Sequence, residues 1–184
     1  MPFRAFVAID ISPSRELLAF HTALDAIGKG LKTVGEESTH VTLKFLGDVN
    51  EDAVPAIEEC IKAAAFDVKP FEVTIKGAGV FPSRSKARVV WAGLEGAESM
   101  ALMTSRLEDC LEPLGFPKEG REFRPHLTLA RVKDPRTSSA AADVAEGFKD
   151  TEFGRQVVGE LLLKRSVLSP KGPTYSTVLS VELA

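Results

Sequence analysis

The sequence predicts a mixed α and β fold: a duplicated β-α-β-α-β unit whose two pseudo-symmetric lobes face one another across a central cleft. Three observations predict it. The order of strand-like and helix-like segments in residues 3–85 returns in residues 86–183, the landmarks of the two stretches are evenly spaced, and one short motif occurs once in each. Asp10 to His40 spans 30 positions and Glu95 to His126 spans 31; His40 to Pro82 spans 42 and His126 to Pro170 spans 44. With 184 residues, 44% of them hydrophobic, the chain can bury a real core yet is short enough for a single bilobal domain over 1–184.

Each element has its own signal. Phe3–Asp10 is a short apolar run closed by turn residues, as in a buried strand. Ser12 is placed to cap a following helix, with Pro13 at its first position and Leu17, Leu24, Ile27 and Leu31 as its stripe. From His40 to Leu46, His, Thr and Lys alternate with Val, Leu and Phe, the period of a half-buried strand. Asn50 opens a second helix whose face carries Val54, Ile57, Ile61 and Ala64, and Phe71–Val80 returns as strand before a Phe81-Pro82-Ser83 loop. In the second half, Val89–Leu94 reads as strand. The helix after it bears Met103, Leu107, Cys110 and Leu114 until Pro113 and Gly115 to Pro117 break it. His126–Val132 is again strand, Ser138 or Ser139 caps a helix bearing Ala141, Val144 and Phe148, and the chain ends in two paired strands, Val157–Leu168 and Tyr175–Leu183.

A net charge of −3 argues against a protein that coats nucleic acid non-specifically, since such binding needs many cations on phosphates. Cys60 and Cys110, both on amphipathic helices and without a dense cysteine framework, fit a reducing compartment and no structural disulfide. The apolar stretch Phe6–Ile11 is too short for a signal segment or a membrane span, so a cytoplasmic location is expected.

The repeated motif carries the chemistry. Two of the three histidines open it, as His40-Val41-Thr42-Leu43 and His126-Leu127-Thr128-Leu129. On a strand, residues two apart share a face, so each copy presents one imidazole and one hydroxyl on the side opposite its apolar residues. An imidazole titrates near neutrality, so one of a pair can act as base while the other acts as acid, as in-line displacement at phosphorus requires. Thr42 and Thr128 would hold the anion between them. Neither motif has a carboxylate or cysteine at ligand spacing, so no metal is expected. His21, on the first helix, reads as a histidine packed at the edge of the core.

The paired motifs, the opening Phe6-Val7-Ala8-Ile9-Asp10, Phe45-Leu46-Gly47, Phe81-Pro82 before a strand containing Trp91, Pro125-His126-Leu127-Thr128-Leu129-Ala130-Arg131 and Gly172-Pro173-Thr174-Tyr175 resemble the 2H phosphoesterases, and among them the RNA 2′,3′-cyclic phosphodiesterases, historically called 2′-5′ RNA ligases. The likeness extends over residues 3 to 183. It implies a bilobal α+β fold of mainly antiparallel sheets, a cleft between the lobes, no metal or other cofactor, and opening of a terminal 2′,3′-cyclic phosphate to a 2′-phosphate. His40 would be the proton donor and His126 the proton acceptor, with Thr42 and Thr128 on the phosphate.

The implied partner is RNA with a cyclic phosphate end, tRNA fragments included; no membrane partner and no oligomer are called for. Strict alternation puts Arg131 on the face opposite His126, so it reaches phosphate only if its strand bends or bulges. Phe81 and Tyr175, in equivalent loops, are placed either to stack on a terminal base or to plug a lobe edge. Residues 118–136 carry a net +3, with Lys118, Arg121, Arg124, Arg131, Lys133 and Arg136 against Glu119, Glu122 and Asp134. This run is a candidate RNA track, and Arg84, Lys86 and Arg88 form a second. The alternatives are reversible 2′-5′ joining by the same histidines and an RNA-end-binding module without catalysis. No nucleotide-triphosphate motif is visible, so joining would have to be energy-neutral.

Overall fold

Alternating and continuous apolar runs become strands and helical stripes become helices, largely where the pattern places them. The computed structural model describes residues 1–184 apart from the side chain of Glu37. In chain order the elements are β1 (Phe3–Asp10), α1 (Arg15–Asp25), β2 (Leu31–Thr33), β3 (His40–Val49), α2 (Val54–Ala65), β4 (Phe71–Phe81), β5 (Val89–Glu95), α3 (Glu98–Leu111), β6 (His126–Val132), α4 (Ser138–Gly147), β7 (Glu152–Val158), β8 (Glu160–Ser169) and β9 (Gly172–Glu182). They form an α+β fold with a four-stranded sheet in the order β3-β1-β8-β9 and a five-stranded sheet in the order β2-β6-β5-β4-β7. The pairings in both sheets are antiparallel.

Neither sheet is built from one half of the sequence. The first takes β1 and β3 from residues 3–85 and β8 and β9 from the end of the chain; the second takes β4 from the first half and β5 from the second. The third strand of each repeat has therefore joined the other repeat's sheet. Helices follow the same exchange: α2 and α3 pack together and on the first sheet, while α1 and α4 lie against strands of the second. β1, central in its sheet, is buried on both faces from Ala5 to Ile9, which is why its sequence is a continuous apolar run instead of an alternation.

Several boundaries differ from the sequence reading, each for a local reason. The cap of α1 is Ser14, whose Oγ accepts from the Leu17 N–H at 3.0 Å. Ser12 is held outside the helix because its N–H donates to Oε1 of Gln156 on β7 at 2.8 Å. α1 stops at Asp25 and the chain turns through Gly28 at φ +96°, so Leu31 opens the short edge strand β2 instead of closing the helical stripe. α2 starts at Val54, after a tight turn that follows Asn50. α3 buries Leu111, leaving Leu114 44% exposed. Ser138 is the first residue of α4 and its hydroxyl donates to the Ala87 carbonyl. The expected strand Val157–Leu168 is two strands, β7 and β8, in different sheets, with Gly159 at the crossing.

Cys60 on α2 and Cys110 on α3 are joined by a disulfide, their Cα atoms 5.5 Å apart. The two thiols expected to be free are thus bridged. Each cysteine lies on the apolar side of its own helix, but only the packing of α2 against α3 brings the two together. No helix among the described residues is long and apolar enough to cross a membrane.

Candidate active site

His40 and His126 are the first residues of β3 and β6, and these two strands touch each other although they belong to different sheets. The alternation expected of the motifs holds: Val41, Leu43, Leu127 and Leu129 are buried, while His40, Thr42, His126 and Thr128 are half-buried on the other face. Both imidazoles are fixed in the same way. Nδ1 of His40 lies 2.7 Å from the Ser38 carbonyl and Nδ1 of His126 lies 2.8 Å from the Arg124 carbonyl, in each case the carbonyl two residues earlier. A carbonyl can only accept, so each Nδ1 carries a proton and each Nε2 is left for proton exchange.

After the threonines, both strands depart from simple alternation at the same place. In β6, Thr128 pairs with Trp91 and Ala130 with Val90, so Leu129 is an extra residue, a β-bulge. In β3, Thr42 pairs with Ala8 and Lys44 with Val7, so Leu43 is the corresponding bulge. The bulge in β6 returns Arg131 to the face of His126 and Thr128, correcting the strict-alternation expectation. The bulge in β3 turns Lys44 inward and leaves Phe45, the counterpart of Arg131, on the face of His40 at 60% exposure. The reading of Lys44 as part of the polar face and Phe45 as part of the buried one is therefore reversed.

The surroundings of the two histidines differ. His40 lies against the rings of Phe6, at 4.9 Å between centroids, and Tyr175, edge-on at 5.1 Å. Burial pushes its pKa below the usual imidazole range. The Ser38 carbonyl and the Asp10 carboxylate oppose that shift, and the Lys164 ammonium and Arg131 guanidinium add to it. Burial raises the Tyr175 hydroxyl, with Arg131 acting in the opposite sense. Arg131, on one sheet, thus acts electrostatically on His40 and Tyr175 of the other. His126 has Phe81 edge-on at 5.9 Å, and Phe81 in turn lies on Trp91 at 5.4 Å. Phe81, expected in a loop, is the last residue of β4, while Tyr175, expected to open the final strand, is the fourth residue of β9.

Other sequence candidates are drawn elsewhere. In the basic stretch, Lys118 binds Asp109 at 2.7 Å, Arg136 binds Asp134 at 2.8 Å and Arg124 lies 3.8 Å from Glu122. Much of its charge is thereby answered locally. Arg84 is bound to Asp143. His21 has partners that the sequence did not suggest: the Val34 carbonyl at Nε2, and Asp25, one helical turn on, at 3.4 Å. It ties the segment after β2 to α1.

Two buried lysines were not singled out in the sequence. Lys44 binds Glu108 of α3 at 2.8 Å and the Pro117 carbonyl at 2.6 Å, anchoring the loop that leads to His126. Lys164 binds Asp10 at 3.0 Å. A lysine inside an otherwise apolar strand signals a buried partner, but the partners come from other elements. Among the described residues no group of three or more His, Cys, Asp or Glu is placed to hold a metal ion.

Comparison with known proteins shows the family. Residues 13–163 match the family model described as the 2′-5′ RNA ligase superfamily. The chain is 37% identical over 178 residues to the RNA 2′,3′-cyclic phosphodiesterase of Methanothermobacter thermautotrophicus, covering 96% of each chain. It is 34% identical over 174 residues to that of Archaeoglobus fulgidus, covering 94% of this chain and 96% of the relative. Among solved structures, TT0787 of Thermus thermophilus superposes with a TM-score of 0.76 at 29% identity, covering 98% of this chain and 97% of the other. Two histidine strands with the same motif and the same carbonyl contact, a shared fold and a family match over most of the length lead to one conclusion: the chain belongs to the 2′-5′ RNA ligase superfamily.

Proposed function

We propose that this protein is an RNA 2′,3′-cyclic phosphodiesterase that opens a terminal cyclic phosphate to a 2′-phosphate, with His40 as proton donor and His126 as proton acceptor. One observation carries the reading: two strands in mutual contact each present an imidazole with its Nδ1 tied to a carbonyl and a threonine hydroxyl beside it. Nε2 of His126 takes a proton from water as the oxygen attacks phosphorus. Nε2 of His40 gives its proton to the departing 3′ oxygen, and the bond from phosphorus to that oxygen breaks. Thr42 and Thr128 donate hydrogen bonds to the non-bridging oxygens, and Arg131 answers the charge that builds on them. Most of the rate enhancement comes from such positioning and electrostatics.

The relatives named as RNA 2′,3′-cyclic phosphodiesterases support the substrate class. The protein acts as a cytoplasmic monomer on RNA ends, tRNA fragments among them, with Phe81 and Tyr175 beside the terminal nucleoside. The Cys60–Cys110 bridge lends no support to the cytoplasmic placement, which rests on the shortness of the apolar stretch Phe6–Ile11. The test is incubation with cyclic-phosphate-ended RNA, with and without a 5′-hydroxyl acceptor, and identification of the end formed. A 2′-phosphate is expected. A 3′-phosphate would reverse the regiochemistry, a joined product would favour the ligase reading, and an untouched end would leave only a binding module.

A further inference from the structure

The two halves of the site are alike in their histidines, threonines and bulges, and unlike in what lies directly opposite each histidine. Asp10 on β1 is the cross-strand partner of His40. Gly93 on β5 is the cross-strand partner of His126. A side chain cannot be added at Gly93, since a Cβ there would stand 2.7 Å from the Lys76 carbonyl oxygen. The second difference is one strand further on. Phe6, which pairs with Phe45, has Lys164 on its other side; Val89, which pairs with Arg131, has Phe81. The pseudo-symmetry thus sets a carboxylate and an ammonium beside His40 where His126 has a bare backbone and a phenyl ring.

Asp10 and Lys164 are bound to each other. The ammonium lies 3.0 Å from Oδ2 of Asp10 and 3.2 Å from the Thr177 hydroxyl on β9. The Lys164 side chain is 10% exposed and that of Asp10 52%. An ammonium so placed needs its carboxylate, and the ion pair fixes the position of that half-exposed carboxylate.

We propose that Asp10 is a positioning residue for His40: its carboxylate, clamped by Lys164, stabilises the protonated imidazole and makes the first lobe the acid side of the site. The inference rests on the reading above, in which His40 is the proton donor. The charged and titratable groups that act on His40 are Asp10 from β1, Lys164 from β8 and Arg131 from β6, with the neutral Tyr175 hydroxyl on β9. Burial and both cations favour the neutral ring; among these side chains only the Asp10 carboxylate favours the charged one. Removing that charge leaves every remaining side-chain influence on His40 pushing its pKa down.

The experiment is Asp10→Asn, nearly isosteric and still able to face Lys164. Two readouts are taken: the pH profile of kcat/KM on cyclic-phosphate-ended RNA, and the titration of the His40 and His126 rings by NMR without substrate. The alkaline limb is expected to move to lower pH, with roughly three- to tenfold loss at pH 8 that shrinks toward the acid end of the profile, where the ring is protonated in both proteins, while the acid limb stays. The His40 ring is expected to titrate at lower pH than in the parent protein, and the His126 ring to stay where it was. An unmoved His40 titration, or a loss equal at every pH, overturns the role of Asp10. Loss of turnover in His40→Ala alongside an unmoved Asp10→Asn profile would sink this inference and leave the acid/base reading standing; full activity in His40→Ala would remove that reading itself.

Discussion

His40 and His126 hold their place through backbone carbonyls and aromatic contacts at the edge of the core, so each can be removed with little cost to the fold. His40→Ala and His126→Ala are each expected to lower kcat by about 10²- to 10⁴-fold, the usual contribution of a placed acid or base. The far-UV spectrum and melting temperature should remain those of the parent. Turnover at the parental rate in either variant would end the two-histidine mechanism. The sign of the pH dependence follows from burial. An acid must be protonated to work, so kcat/KM falls as pH rises through the His40 value, which burial holds below the ordinary imidazole range. A bound phosphate anion favours the charged ring, so the alkaline limb of kcat should lie at higher pH than that of kcat/KM. Parallel measurement of the two profiles checks this, and coincident alkaline limbs would count against His40 as the acid.

At the scale of the element, the two bulges decide which side chains share the face of the histidines. His-x-Thr spacing was readable from the two-residue period of a strand, and the face that His40 shares with Thr42, and His126 with Thr128, came from it directly. Arg131, Lys44 and Phe45 were misplaced by the same rule, because one inserted residue reverses every face beyond it and a leucine at the bulge gives no local signal. With the bulge in place, Arg131→Ala is expected to raise KM for cyclic-phosphate RNA about tenfold or more, and Arg131→Lys to recover only part of that, since a point charge lacks the planar fork. Unchanged KM in the alanine variant would place the guanidinium outside the site. The disulfide was illegible for a related reason: α2 and α3 each announce an apolar stripe, but nothing in either stripe says that the two helices are neighbours. It closes a loop with a sequence separation of 50, for which chain entropy predicts about 4 kcal/mol. In a protein of this length that corresponds to about 10 °C in melting temperature. Cys60→Ser, read by calorimetry beside the parent with and without reductant, should show the drop, and the parent should fall to meet it when reduced. A parent indifferent to reductant would mean that the thiols are not bridged in solution.

For the molecule as a whole, the repeat in sequence and the lobes in space are different divisions. The order of elements showed the duplication, but the exchange of third strands is set by which sheet edge each one meets after it leaves its helix, a long-range choice that no local pattern records. Cutting the chain between β4 and β5 would therefore not release two lobes. Residues 1–85 would keep β1 and β3 but lose β8, exposing one edge of a strand that is apolar on both faces, and would carry β2, β4 and α1 without the β6, β5 and β7 they pack against. Residues 86–184 would hold β8 and β9 without β1 and lose the Cys60 end of the disulfide. Unpaired apolar edges of this kind drive association with other chains. Expressed separately, both halves are expected to aggregate or to lack a cooperative melting transition. Co-expressed, they are expected to yield a complex that melts cooperatively and opens cyclic phosphate ends. A half that unfolds in one sharp transition by itself would show that its sheet closes without the other repeat, and the exchange of strands between lobes would then not describe the protein in solution.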